Sequence, residues 1–534
     1  MAEERVIVRV RVHGGNRHVP EEYNDCGVMR SALLVSTYEM GRQPFALASA
    51  AAWLRADGLV VTCVDAAKEK LTDTALCAAD LIAFHLPMHT ATRLAAPIIT
   101  AARRLNRAAR ICAFGLYAPL NAEWLRSIGV DEVFGGEFEE DLAQWAGVTK
   151  AALKGCATST DERSTQNTQS QSSTDERAGE KAALVAQPFP PPLAGNSSEL
   201  RRDSPKRETR EGGRAARALP RIHFLVPDRT GLPPLSKYAT LQMPSGERRL
   251  VGYTEASRGC KHLCRHCPVV PIYNGQFRVV QPDVVLADIA GQVAAGAQHI
   301  TFGDPDFFNG PTHALRIVDA LHAAHPEVTY DATVKVEHLL RHRNLLPRLA
   351  ATGCAFVISA VESLDNRVLA RFDKGHTRED FFDAVEVCRA CGVTLVPTFV
   401  AFHPWLSLES YCDLLATIAR LDLIDHVAPI QLAIRLLVPE GSRLLTLDEM
   451  RAHIDRFDPV TLTYRWAHPD PRVDALQRDV TALVGMRLTT DRRALFSEIA
   501  ALAHARAGVP APAFDSRPAR ARATVPYLNE PWYC

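Results

Sequence analysis

Strand-like and helix-like segments alternate along this chain, and one polar segment divides the alternation into two halves. In the first half, residues 31–147, the opening runs are SALLVST, FALASAAAWLRADG and LVVTCVD. A short apolar run predicts a buried strand, and an amphipathic run that ends at a glycine predicts a helix. Because parallel strands need crossover helices, the first half predicts an α/β fold with a doubly wound, Rossmann-like parallel sheet.

The polar segment covers residues 148–222 and contains the pentapeptide STDER twice, at 159–163 and 173–177. It is rich in Ser, Thr, Gln, Pro and charge. Such a composition cannot bury enough apolar surface to order itself, so we predict a disordered linker. Residues 1–30 hold a Gly-Gly pair and scattered charges, which predict an irregular extension.

The second half repeats the alternation. It predicts a partial (βα)6 barrel over residues 223–445, in which functional residues are expected at the carboxyl ends of the strands. Residues 446–534 predict a helical C-terminal region with a thiol-bearing tail. The six predicted strands cover residues 251–257, 299–307, 328–336, 354–363, 394–402 and 428–437.

Charge and hydropathy exclude several classes of function. The 61 basic and 61 acidic residues cancel, so no overall field attracts nucleic acid or an anionic membrane. The sequence has no apolar run long enough to predict a membrane span. The opening MAEERVIVRV lacks the order of a signal peptide, so we expect a cytoplasmic protein with reduced thiols. A small molecule or a peptide is the expected substrate.

Three of the thirteen cysteines, Cys260, Cys264 and Cys267, follow the spacing C-x3-C-x2-C after the first predicted barrel strand. Thiolates on one short loop are soft ligands for zinc or an iron–sulfur cluster. Zinc would need a fourth protein ligand, and His262 and His266 lie inside the loop, where joint binding would be cramped. A 4Fe-4S cluster held by three cysteines leaves one iron open. The non-enzymatic alternative is a zinc-stabilised binding module without turnover.

At this point the sequence resembles the radical S-adenosylmethionine (radical SAM) superfamily, whose motif has this spacing directly after the first strand of a six-fold βα barrel. The resemblance implies a 4Fe-4S cluster, bound SAM, and an electron donor such as flavodoxin or ferredoxin. An electron delivered through the cluster then cleaves a carbon–sulfur bond of SAM. Most members form the 5'-deoxyadenosyl radical, and a few release the 3-amino-3-carboxypropyl fragment instead.

The resemblance also implies the residues that bind SAM. His266 occupies the position just before the third cysteine, which packs by the adenine. In ITFGDPDFFN, Gly-Asp-Pro-Asp replaces the usual Gly-Gly-Glu, and its polar end receives the SAM amino group. Polar residues inside apolar strands could face SAM or the substrate, and buried ion pairs are the alternative. The cofactor-binding candidates are Gly303, Asp304, Asp306, Ser359, Glu362 and Arg435, with Lys335 and Gln431 as further polar strand residues.

The predicted N-terminal sheet resembles the cobalamin-binding domain of a class that joins these two modules. The segment GGEFEEDL, residues 135–142, is similar to the segment that closes that domain. The D-x-H-x-x-G ligand motif is absent, so cobalamin is an optional cofactor without a ligand motif, and a docking domain is the alternative. His85 and His89 are candidates for a polar edge or for a structural role.

The chain ends in VPYLNEPWYC. Together with VSTYEMGRQPFALAS and ITFGDPDFFNGP, this ending resembles a radical SAM subfamily whose chains end in Cys-Cys-Ala-Glu-Pro or Cys-selenocysteine-Ala-Glu-Pro. The resemblance implies a catalytic thiol at Cys534 and suggests a frame closed at a selenocysteine codon, and an inert terminus is the alternative. We expect a transferase acting on an unidentified small substrate. Aminocarboxypropyl transfer to trivalent arsenic and cobalamin-dependent methyl transfer are the alternative reactions.

Overall fold

The computed structural model describes residues 31–147, 222–487, 491–512 and 523–529. The predicted extension 1–30, nearly all of the predicted linker 148–222, and Cys534 lie outside the described residues. Within the described ranges, no helix is both long and apolar enough to cross a bilayer.

The N-terminal sheet has five parallel strands in the order β2-β1-β3-β4-β5. Leu33 and Val35 pack on one face of β1, and Ala32 and Leu34 pack on the other, because alternate side chains of a strand point to opposite faces. The predicted doubly wound sheet is confirmed. The strands are β1 (Ser31–Ser36), β2 (Val60–Asp65), β3 (Leu81–His85), β4 (Arg110–Phe114) and β5 (Glu132–Phe134), and the helices are Phe45–Ala56, Asp73–Ala78, His89–Leu105, Ala122–Ser127 and Glu139–Trp145.

Eleven further strands follow in the described residues. Five of them, β7 and β10 to β13, form a parallel half-barrel in the order β13-β12-β11-β10-β7, with β6 and β16 antiparallel at the β7 edge. The strands are β6 (Thr240–Gln242), β7 (Arg248–Thr254), β8 (Ser257–Gly259), β9 (Phe277–Val279), β10 (His299–Phe302), β11 (Thr329–Thr333), β12 (Cys354–Glu362), β13 (Leu395–Phe399), β14 (Ile454–Asp458), β15 (Thr463–Trp466) and β16 (Tyr527–Leu528).

Six helices of the half-barrel share one core with Ile300, Tyr330 and Val357, whereas Asn366–Phe372 packs in a separate cluster with Trp466 and Val269–Tyr273 lies outside both. Local sequence signals start several of them. Thr377 and Asp380 form a capping box, which satisfies backbone N–H groups at the first turn. The helices are Val269–Tyr273, Pro282–Ala294, Pro311–Ala324, Val336–Arg341, Leu346–Ala351, Asn366–Phe372, Arg378–Ala390 and Leu408–Arg420.

The prediction of a sixth barrel strand over residues 428–437 is wrong, because no continuous strand forms there. Pro429–Leu432 is a 3-10 helix, and only an isolated parallel bridge joins Phe402 to Arg435. Pro429 lacks a backbone N–H and has a restricted φ, which disfavours a central strand at this point. The Gln431 side chain instead accepts a hydrogen bond from the Phe399 backbone N–H at 3.2 Å.

The described C-terminal region packs onto the half-barrel. Val473, Leu476, Leu495 and Phe496 belong to the same hydrophobic core as the barrel strands. The region also contains the antiparallel pair β14–β15, which the sequence analysis did not predict. The helices of this region are Asp448–Arg451, Pro471–Met486 and Arg492–Ala507.

The remaining 3-10 helices of the described chain are Pro119–Asn121, Leu235–Lys237, Phe307–Asn309, Arg343–Leu345 and Arg443–Thr446.

Candidate active site

The cysteine loop follows β7, and the short antiparallel pair β8–β9 closes it at the base. The Cys260 backbone N–H donates to the Gln276 carbonyl at 3.0 Å, and the Cys267 N–H donates to the Cys264 carbonyl at 3.2 Å. Gly259 has a φ of +73°, and a Cβ there would lie 2.4 Å from the Tyr273 ring. The loop therefore needs glycine at this position.

The donor set of the loop fits a metal cluster. Cys260, Cys264 and Cys267 are all free thiols. Burial, and to a smaller extent the neighbouring Cys264 and Cys260, raise the pKa of the Cys267 thiol to about 12. Three thiolates so close together require a strongly positive partner, because metal ligation and deprotonation are coupled. The loop can supply three ligands to a 4Fe-4S cluster.

Asn309 supports the loop from the end of β10. Its side-chain oxygen accepts from the Lys261 backbone N–H at 3.2 Å and lies 3.9 Å from Cys260 Sγ. Asn309 is not among the residues predicted from the sequence. Its only signal was its place in the stretch ITFGDPDFFN after a barrel strand.

A second, smaller donor set lies beside the first cysteine. Single ligand atoms of Cys260, His262 and Asp306 lie within 4.8 Å of one another. His262 also accepts a hydrogen bond from Lys335 at 2.9 Å. A zinc ion here would use one cysteine of the motif, so this set gives no reason for the other two.

Asp306 is a buried structural carboxylate. Its Oδ2 lies 2.7 Å from His338 Nδ1 and 3.4 Å from His262 Nε2, and its Oδ1 accepts from the Phe308 N–H at 3.1 Å. Burial alone would raise its pKa, but the two histidines lower the pKa of Asp306 to about 2. Asp306 therefore lies beside the cysteine loop as an anion.

Gly303 and Asp304 hold the end of β10 against β7. A Cβ at Gly303 would lie 1.8 Å from the Tyr253 hydroxyl oxygen, so only glycine lets Tyr253 pack there. Asp304 accepts from the Ser257 hydroxyl at 2.5 Å and from the Ala256 N–H at 2.9 Å. Burial raises the pKa of Asp304 to about 7. Its hydrogen bonds serve the strand that leads into the cysteine loop.

Glu362 ends β12 beside the last cysteines. It lies 3.1 Å from His266 Nε2 and accepts from Lys374 Nζ at 3.4 Å, and its φ is +68°. Burial opposes ionisation, but Lys374 and His266 lower the pKa of Glu362 to about 2. The His266 ring packs 4.6 Å from the Phe372 ring. The structure thus brings together two predicted residues, and it adds Lys374, which the sequence analysis missed among many surface charges.

Two predicted cofactor residues lie elsewhere. Ser359 shares the outer face of β12 with Val357 and Val361, because alternate residues of a strand point the same way, and it is fully buried. Arg435 donates to Asp474 at 2.7 Å and to the Trp466 carbonyl at 2.6 Å, and its guanidinium lies 3.4 Å from the Trp466 ring centroid. Ser359 packs toward the helices, and Arg435 anchors the C-terminal region.

The two predicted edge histidines have different surroundings. His85 Nδ1 lies 2.6 Å from Glu39 Oε1, with both side chains nearly buried. The His89 ring is hydrogen-bonded to the Thr461 carbonyl of the C-terminal region. Of the pair, His85 therefore lines the edge of the N-terminal sheet, and His89 is a structural contact.

A cavity of about 260 Å³ lies where the two folded units meet. It lies at the carboxyl edge of the N-terminal sheet, between Glu39 and His85 on one side and Tyr253 and Gly303 on the other. The segment GGEFEEDL seals this junction by ion pairs from its glutamates: Glu139 binds Arg258 at 2.6 Å, and Glu137 binds Arg278.

The segment before the tail adds β16 to the barrel sheet. β16 is antiparallel to β6, and β6 is antiparallel to β7. β16 therefore runs in the same direction as the barrel strands, toward the edge that bears the cysteine loop. Asn529 anchors it, because its N–H donates to the Thr240 carbonyl at 3.0 Å and its side chain accepts from the Thr240 N–H at 2.9 Å.

Comparison with known proteins agrees with this arrangement. Residues 254–418 match the family model described as the Radical SAM superfamily. The hopanoid C-3 methylase of Methylococcus capsulatus is 24% identical over 151 residues, which are 28% of this chain and 29% of that protein. The tRNA-2-methylthio-N(6)-dimethylallyladenosine synthase of Pelodictyon phaeoclathratiforme is 26% identical over 171 residues, 30% of this chain and 38% of that protein. The chain thus matches less than two fifths of the length of these curated relatives.

Two solved structures share the fold across both units. The cobalamin-dependent S-adenosylmethionine radical enzyme OxsB, with aqua-cobalamin and S-adenosylmethionine bound, has a TM-score of 0.57 at 13% identity and covers 86% of this chain and 67% of its own. The radical S-adenosylmethionine methyltransferase TsrM from Kitasatospora setae, with tryptophan and a SAM analogue bound, has a TM-score of 0.57 at 16% identity. The match covers 85% of this chain and 88% of the TsrM chain.

A radical SAM domain binds a 4Fe-4S cluster and SAM, so the prediction of these two cofactors is confirmed. The cysteine loop, the half-barrel behind it and the family match lead to one conclusion: this chain contains a radical SAM domain, at residues 254–418.

Proposed function

We propose that this protein is a transferase that cleaves SAM reductively and uses the resulting radical on a small-molecule substrate. The observation that carries the proposal is the loop of free thiols at Cys260, Cys264 and Cys267, closed by β8–β9 at the carboxyl edge of the half-barrel. These cysteines would hold the cluster, which when bound supplies the electron that breaks a carbon–sulfur bond. An electron donor such as flavodoxin or ferredoxin is part of the proposal.

The chain's own residues would bind and orient SAM. Glu362 is held ionised by Lys374 and His266, so it can accept hydrogen bonds from the polar half of SAM. His266 is fixed between Glu362 and Phe372, which presents its ring beside the last cysteine for the adenine. Gly303 lets Tyr253 pack against the end of β10. Burial of these groups keeps water away from the reacting atoms.

Cobalamin does not fit this arrangement. A ligand of a doubly wound sheet is expected at the carboxyl ends of its strands. The cavity there holds about 260 Å³, whereas pockets for drug-sized ligands measure about 300–1,000 Å³ and a corrin is larger still. The barrel side of the cavity is formed by Tyr253 and Arg258. We therefore derive no step through cobalamin, although OxsB and TsrM are cobalamin-dependent or cobalamin-binding proteins by description.

A second candidate reaction rests on the direction of β16. Five residues follow Asn529 and end at Cys534. Since β16 points toward the edge that bears the cysteine loop, the Cys534 thiol could present trivalent arsenic there, because arsenic is a soft electrophile. The carbon–sulfur bond to the aminocarboxypropyl group would break, 5'-methylthioadenosine would leave, and the carbon would join arsenic. The electron used for cleavage returns when trivalent arsenic becomes pentavalent.

One experiment separates these reactions. The protein is purified and reconstituted anaerobically, then incubated with SAM and dithionite, and the products are identified by mass spectrometry. 5'-Deoxyadenosine supports cleavage of the bond between sulfur and the adenosyl carbon. 5'-Methylthioadenosine that increases with arsenite supports aminocarboxypropyl transfer. Cys264→Ser should form neither product, with Cys77→Ser as a matched control because Cys77 is exposed. Zinc in place of iron, with no SAM cleavage, would overturn the proposal.

A further inference from the structure

The cavity at the junction lies at the topological switch point of the N-terminal sheet. In the order β2-β1-β3-β4-β5, β2 lies on one side of β1 and β3 to β5 lie on the other, so the strand order reverses between β1 and β3. Glu39 follows β1 and His85 ends β3, and both line the cavity. Open parallel sheets bind ligands in the crevice at this point.

Arg42 lines the cavity without a partner for its charge. Its guanidinium lies 5.1 Å from the Tyr253 ring centroid, and its Nε is buried without a hydrogen-bond partner. Among the described residues it makes no ion pair, whereas Arg258 and Arg278 at the same junction are both paired with glutamates. The side chain is half-buried, and its buried Nε–H is a donor that lacks the acceptor a buried donor normally has. For a guanidinium, the natural partner is a carboxylate, which it binds through two parallel hydrogen bonds.

The Glu39–His85 pair supplies a second polar contact. Glu39 Oε1 lies 2.6 Å from His85 Nδ1, with side chains 10% and 7% exposed. With Nδ1 beside Glu39, Nε2 is the ring nitrogen left for a hydrogen bond with a ligand. The ring is seated against Gly115, whose φ is +108° and where a Cβ would lie 3.0 Å from the His85 ring.

We propose that this cavity binds a small carboxylic acid with an apolar body, its carboxylate on Arg42 and a hydrogen-bond donor of the ligand on His85 Nε2. The apolar body would pack against Met40, Phe45, Met88 and Phe138. At about 260 Å³, the cavity suits a molecule of amino-acid size rather than a corrin. As the identity of the acceptor substrate, this inference rests on the proposed function, because the cavity also touches Gly303 and Gly259 beside the cysteine loop.

The test is a binding measurement that needs neither SAM nor reductant. Phenylacetate is titrated into the full chain by calorimetry, with phenylacetamide as the uncharged analogue. We expect phenylacetate to bind and phenylacetamide to bind at least tenfold more weakly, since a charge-assisted pair is stronger than a neutral hydrogen bond. Arg42→Gln should weaken phenylacetate by about tenfold or more, Arg42→Lys should weaken it less, and Arg104→Gln on the exposed helix surface should not change it.

Thermal unfolding of each variant confirms that it is folded before binding is scored. If Arg42→Gln fails to fold, the comparison of Arg42→Lys with wild type and of phenylacetate with phenylacetamide decides the case. Equal binding of the acid and its amide, no binding of phenylacetate, or stoichiometric binding of hydroxocobalamin that blocks phenylacetate would each overturn the inference. A protein that binds phenylacetate through Arg42 but does not cleave SAM would refute the proposed function and leave the binding site standing.

Discussion

The guanidinium of Arg258 lies 2.6 Å from the carboxylate of Glu139, and both side chains are buried at the junction of the N-terminal sheet with the radical SAM domain. Arg258 also binds Glu255 at 2.7 Å, and it precedes Cys260 by two residues. The Ser49 hydroxyl donates to the same Glu139 at 2.7 Å. The N-terminal unit therefore holds the strand from which the cysteine loop departs.

Replacing Arg258 by Met should destabilise the protein by about 3–5 kcal/mol, because it leaves buried carboxylates without a counter-charge. The thermal unfolding midpoint should fall. Adding Glu139→Gln to this variant should recover part of the loss, since it removes one of the uncompensated charges. A double variant no more stable than Arg258→Met would show that packing, and not charge, dominates this contact.

Replacing Cys260, Cys264 or Cys267 by Ser should remove the iron–sulfur cluster, because a serine hydroxyl is a poor substitute for a thiolate ligand. Iron and sulfide content and the visible absorption of the reconstituted protein measure the loss. Cys77→Ser should keep both at the wild-type level, since Cys77 is exposed and lies in the N-terminal unit. A serine variant of the motif with full iron content would refute the ligand assignment.

Gly303→Ala should destabilise the end of β10 by about 1–3 kcal/mol through overpacking. The added Cβ would lie 1.8 Å from the Tyr253 hydroxyl oxygen. Gly291→Ala is the matched control, because no heavy atom lies within 4 Å of a Cβ there. Combining Gly303→Ala with Tyr253→Ala should add less than the sum of the two losses. Strict additivity in thermal unfolding would contradict the contact.

Asp304 should make stability depend on pH. Burial raises its pKa from 3.8 to about 7, so the folded state holds this proton in a range where the unfolded state has released it. Stability should therefore fall as the pH rises from about 4 to about 7. Asp304→Asn should flatten this part of the profile of unfolding midpoint against pH. The exposed Asp383→Asn serves as a control, and identical profiles for all three proteins would contradict the prediction.

Arg435→Gln should destabilise the C-terminal region without weakening the binding of SAM. It loses the ion pair with Asp474 and the contact with the Trp466 ring, which together should cost about 1–3 kcal/mol. Limited proteolysis reports the loosened region, and equilibrium dialysis with SAM reports binding. A large loss of SAM affinity in folded protein would restore Arg435 as a cofactor residue.

The sequence was sufficient where the information is local. The period of apolar residues identified both parallel sheets, and the cysteine spacing identified the cluster loop, because strand periodicity and ligand spacing are properties of short segments. His266 and Glu362 were found through the family resemblance, and the structure places them in contact.

What only the tertiary structure decided depends on packing between distant segments. Alternation along β12 turned Ser359 outward, and Pro429 reduced the expected sixth strand to a bridge at Arg435. The cavity beside Glu39, Arg42 and His85 exists only because the N-terminal sheet docks on the radical SAM domain. A charged side chain is not distinguished in the sequence by whether it lies in solvent or at such a junction. Its role is set by the burial and the counter-charges that docking supplies.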